Sequence, residues 1–124
     1  MAYSEDARPT PFKRYCKTLS LQADAALLAT YRQRHAPGAA WPEIAQGMRE
    51  VGILDMEIYL YGNQAFMIMD TVPDFDHDQA MQVLATKPRQ AEWEALMATY
   101  QQTSDSATAA EKWRPLERIY KLGA

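Results

Sequence analysis

Residues 53–72, ILDMEIYLYGNQAFMIMDTV, decide the architecture. In the first half, Leu54, Met56, Ile58 and Leu60 alternate with Asp55, Glu57, Tyr59 and Tyr61, which is the two-residue period of a strand with one buried face. Gly62-Asn63 predicts a tight turn at residues 62–63. The returning segment, Ala65 to Val72, is apolar on both alternating sets: Phe66 and Ile68 on one, Ala65, Met67 and Met69 on the other. One layer of helices in a small monomer covers only one of those faces, so this strand predicts that two chains pair through the sheet.

Working outward, FKRYCKTLSL (12–21) sets Phe12, Arg14, Cys16, Thr18 and Ser20 against Lys13, Tyr15, Lys17, Leu19 and Leu21, and reads as a first strand. Residues 23–35 carry good helix formers with Leu27, Leu28, Tyr31 and His35 at helical spacing, and Pro37-Gly38 ends that helix. Pro42 suits the first position of a second helix, whose inner side carries Ile44 and Met48. Asp74, Asp76 and Asp78 favour another helix start. A stronger helix follows Pro88, with Trp93, Leu96, Met97 and Tyr100 in a buried stripe. Residues 103–112 read as a polar loop, and Leu116 to Leu122 as the last strand. The order β, α(α), β, β, α(α), β is the split βαβ arrangement of a ferredoxin-like α+β domain, expected here as a dimeric α/β barrel. Residues 1–11 are expected to be a flexible lead-in to a single domain over 12–122.

Composition narrows the function. With 124 residues, 48% hydrophobic and 23% charged, the chain supports one core and is no disordered polymer. A net charge of -3 leaves no basic field for a phosphate backbone, so no nucleic-acid partner is expected. No apolar run reaches membrane-spanning length. Met1 to Thr10 has no apolar core of a signal peptide, and Cys16, the single cysteine, forms no internal disulfide. Together these predict a cytoplasmic protein.

The chemistry concentrates around Tyr31-Arg32-Gln33-Arg34-His35 and Trp41-Pro42-Glu43. Tyr31 and His35, four apart, project from one helix face. An imidazole exchanges protons near neutral pH, and at a helix C-terminus the backbone carbonyls favour its charged form. Spacing alone leaves His35 open between a structural histidine and a catalytic one. Trp93 reads as packing on the core stripe, and Trp41 as a helix-entry staple. The group Asp74, Asp76, His77 and Asp78 reads as a solvated helix start, and no metal is expected.

The motif Tyr31-x-x-x-His35, then Trp41-Pro42-Glu43, Gly52 and Ile58-Tyr59-Leu60, with Leu116-Glu117-x-Ile119-Tyr120-x-Leu122 at the end, resembles the L-rhamnose mutarotase family across roughly residues 12–122. That resemblance implies a dimeric barrel that binds a deoxysugar and needs no cofactor, with His35 as proton donor and Tyr31 binding the sugar. It adds Trp93, Trp41 and Tyr59 as candidate sugar contacts. Met56 stands where the family carries a sugar-contacting tyrosine, and Glu92 stands for the first of two adjacent tryptophans. These changes in the substrate wall keep L-fucose as an alternative to L-rhamnose. A non-catalytic binding barrel and a small oxygenase on the same fold are the readings from other classes.

Overall fold

A computed structural model describes residues 11–102 and 112–123. The elements run β1 (Lys13–Ser20), α1 (Ala25–Arg34), α2 (Pro42–Glu50), β2 (Ile53–Tyr61), β3 (Gln64–Thr71), α3 (His77–Leu84), α4 (Gln90–Ala98) and β4 (Arg114–Pro115). The sheet is antiparallel with strand order β2-β3-β1-β4, the ferredoxin-like order expected. The loop expected at 103–112 and the lead-in fall almost wholly outside the described residues.

Several elements start where local chemistry marks the boundary. Asp24 accepts from the Leu27 N–H to cap α1, and Asp76 accepts from the Gln79 N–H to cap α3. Pro42 opens α2 without needing a donor. The turn between β2 and β3 passes through Gly62 at φ 59°. Gly52, just before β2, has φ 104°, and a Cβ there would stand 2.9 Å from Val72 Cγ2. No other residue meets both conditions without strain.

The register places Lys17 opposite Met67 and Met67 opposite Ile58, so these three share a sheet face. That face carries Leu19, Leu21, Ala65, Met67 and Met69, and all four helices pack on it. Cys16, Ile68 and Glu57 are aligned on the opposite face, as are Thr18, Phe66 and Tyr59. Phe66 and Tyr61 there remain exposed.

One element departs from its expectation. The segment Leu116 to Leu122 was expected to be a strand, but β4 holds only Arg114–Pro115, paired with Thr18 and Lys17. After the Leu116 N–H donates to the Cys16 carbonyl, the chain leaves the sheet. Ile119 and Leu122 are each 88% exposed. The β1 edge continues past Cys16 to Lys13, but the tail leaves it with its apolar side chains still in water, and an alternating pattern without apolar cover gains little from pairing.

Candidate active site

Between the sheet and the helices lies a cavity of about 420 Å³, within the range of ~300–1,000 Å³ usual for small-molecule sites. Its walls are mostly apolar. The sheet contributes Met56, Ile58, Met67 and Met69; the helices contribute Ile44, Met48, Trp93 and Met97. The polar groups that reach it are few, and each is fixed by the element that carries it.

Helix α1 delivers Tyr31 and His35 one turn apart, their rings 4.5 Å between centroids. His35 caps the helix, and its Nδ1 lies 2.8 Å from the Tyr31 carbonyl. A carbonyl only accepts, so Nδ1 carries a proton and Nε2 is the nitrogen left to meet a ligand. Burial pulls the His35 pKa below its ordinary value, and the Tyr31 carbonyl only partly offsets that. The helix end was expected to favour the charged form; here loss of water outweighs it. Burial pushes the Tyr31 hydroxyl up to about 12, so at neutral pH it keeps its proton and can donate.

Trp93 stands edge-on to His35, with centroids 5.6 Å apart, and lines the cavity while packing in the core. Behind it Trp41 packs at 5.3 Å. The Arg89 guanidinium covers the outer ring of Trp41 at 3.9 Å and reaches Glu43 and Glu92. Arg89 holds a left-handed φ of 63°, which costs a side-chain-bearing residue about 1–2 kcal/mol. Its stacking and ion pairs offset that cost. Trp41 therefore buttresses Trp93 from outside the cavity lining.

The other sequence candidates divide cleanly. Met56 lines the cavity. Tyr59 follows Ile58 by one residue, so the strand's period turns it to the opposite face, where its hydroxyl donates to Glu57 at 2.7 Å. The Glu92 side chain, one residue off the Trp93 stripe, is 63% exposed and pairs with Arg89. Neither Tyr59 nor Glu92 lines the cavity.

Three buried polar lining groups were not singled out from sequence. Gln90 and Gln101 are buried, and the Oε1 of each has no hydrogen-bond partner among the described residues. Two buried acceptors on a cavity wall are left able to take a hydrogen bond from a donor-bearing ligand. Lys17 is the third, only 3% exposed. Its Nζ lies 2.6 Å from His77 Nε2, while His77 Nδ1 lies 3.0 Å from Asp78. His77, read above as part of a solvated helix start, thus turns inward; its ring also packs 5.2 Å from Tyr15. Among the described residues no cluster of three potential metal ligands occurs, and no helix is long and apolar enough to cross a membrane.

Comparison with known proteins bears on what such a cavity does. The chain is 36% identical over 110 residues to an L-fucose mutarotase of Xanthomonas campestris, covering 89% of this chain and 88% of that one. It is 30% identical over 115 residues to a UPF0734 protein of Dictyostelium discoideum, covering 90% of each. The crystal structure of an L-rhamnose mutarotase from Formosa agariphila superposes with a TM-score of 0.66 at 21% identity, over 89% of this chain and 98% of that one, which shows a shared fold. The L-rhamnose mutarotase family profile matches residues 14–122, and with it the chain belongs to the L-rhamnose mutarotase family, carbohydrate isomerases that interchange sugar anomers.

Proposed function

We propose that this protein opens and recloses the pyranose ring of L-rhamnose, with His35 exchanging the proton of the ring oxygen. Ring opening requires protonation of that oxygen as its bond to the anomeric carbon breaks, while the anomeric hydroxyl loses its proton. The aldehyde then turns about its first carbon–carbon bond and recloses on the other face. Neither step changes oxidation state, so positioned acid and base groups suffice.

The carrying observation is the His35 imidazole on the cavity wall, with Nδ1 tied to the Tyr31 carbonyl and Nε2 left for the sugar. A depressed pKa makes the protonated ring a stronger acid, suited to a weakly basic ether oxygen. Tyr31 donates to a sugar hydroxyl, the edge and face of Trp93 pack on C–H groups, and Gln90 and Gln101 accept from hydroxyls. The protein works in the cytoplasm, a reading supported by the single cysteine. It works as a homodimer, which the exposed apolar tail and the uncovered sheet face support.

Magnetisation-transfer NMR between the two anomeric signals tests this directly. The wild type is expected to speed anomer exchange of L-rhamnose, and His35→Asn to return it to the uncatalysed rate with the far-UV spectrum unchanged. Exchange undiminished in His35→Asn removes the imidazole from the chemistry. L-Fucose is the second reading, favoured by the 36% identical relative. The two sugars differ in the configuration of ring hydroxyls, and a misplaced hydroxyl leaves buried polar groups unpaired. The same measurement on both sugars ranks them.

A further inference from the structure

Anomer exchange needs two proton-handling groups, and the reading above supplies one. We propose that the second is Lys17, whose amine on the sheet side of the cavity exchanges the proton of the anomeric oxygen while His35, on the helix side, serves the ring oxygen. This rests on the mutarotase reading and names the partner that the imidazole needs.

The cavity itself narrows the choice. Its titratable lining groups are Lys17, Tyr31, His35, Arg49 and Asp55. Arg49 and Asp55 are exposed. An arginine stays charged at any working pH, and Tyr31, pushed up to about 12, keeps its proton. Lys17 is the remaining buried group that can both take and give one. It comes from β1 and His35 from the end of α1, so the sheet and helix layers each contribute one of the two to the cavity lining.

The anchoring of Lys17 fits the task. Asp78 accepts from His77 Nδ1, which leaves His77 Nε2 as an acceptor at 2.6 Å from Lys17 Nζ. One amine hydrogen is thereby engaged and the head group is held in place; His77 is a positioning residue. Burial lowers the Lys17 pKa, and the Asp78 charge opposes this in part.

The proton count closes. On opening, protonated His35 gives its Nε2 proton to the ring oxygen as the bond to the anomeric carbon breaks. The anomeric hydroxyl becomes the carbonyl and its proton passes to Lys17. On reclosure the ring hydroxyl attacks the other face of the carbonyl and returns its proton to His35, while the Lys17 ammonium returns its own to the anomeric oxygen. The pair begins and ends with the same protons.

The test measures anomer exchange by wild type, Lys17→Gln, Lys17→Met and Lys17→Ala on L-rhamnose and L-fucose. The two unbranched replacements fill the space of the lysine stem and guard against loss of folding, checked by circular dichroism. Losses of about 10²–10⁴-fold in kcat are expected for all three variants, with KM within about threefold of wild type. Added methylamine is expected to restore exchange to Lys17→Ala, which has room for it. A loss below 100-fold in Lys17→Gln, a loss carried by KM, or failure of methylamine rescue overturns the role of Lys17. Absence of exchange by the wild type on both sugars overturns the mutarotase reading itself, and a wild type that works beside an unimpaired Lys17→Gln overturns only the lysine.

Discussion

Gln101 brings a buried amide to the cavity wall. Among the described residues its buried Oε1 accepts nothing, a debt of about 1–3 kcal/mol by the usual penalty for an unmade bond. Gln101→Met removes that acceptor at similar length. The free variant is expected to melt no lower than wild type, while sugar affinity falls about 2- to 12-fold, the equivalent of one ordinary hydrogen bond; thermal melting and an NMR titration check the two halves. The spacing of Tyr31 and His35 on α1 makes that pair legible in the sequence, and the stripe through Trp93 marks a residue facing inward. Gln90 and Gln101 are not legible, because a glutamine's burial depends on what the fold brings over it. Lys17 did leave a trace: it shares an alternating set with Leu19 and Leu21, both buried. A lysine's charge favours solvent, and only the register of the sheet shows that the set turns inward as a whole.

The elements are held at their ends by a handful of local contacts, and these bear separate tests. Gly52 is the entry to β2, where a side chain faces both a left-handed backbone and Val72 at 2.9 Å. Gly52→Ala is expected to cost about 2 kcal/mol or more, read as a lower urea midpoint at unchanged slope. The strand and helix starts were legible to within a few residues because Pro42, Gly62 and the acidic caps mark them chemically. The final strand was not, for a different reason. Its alternation of Leu116, Arg118, Tyr120 and Leu122 is sound as a pattern, yet a pattern states only what a segment can pair with. Whether the segment stays on the β1 edge depends on what covers its apolar side, which the pattern does not state.

At the scale of the molecule, Phe66 and Tyr61 on the outer sheet face and Ile119, Tyr120 and Leu122 on the tail leave large apolar side chains in water. A second copy of the chain covers both in the homodimer proposed above. Ile119→Asp with Leu122→Asp is expected to shift sedimentation toward the monomer and leave the far-UV spectrum intact, since neither residue touches the core in a single chain. Trp113, which lines the cavity, immediately precedes β4, and β4 is tied to β1 through only two residue pairs before the chain departs. If the tail is clasped by a twin, that indole is braced from outside its own subunit; in a dilute solution it loses its brace, and turnover per chain falls off with protein concentration.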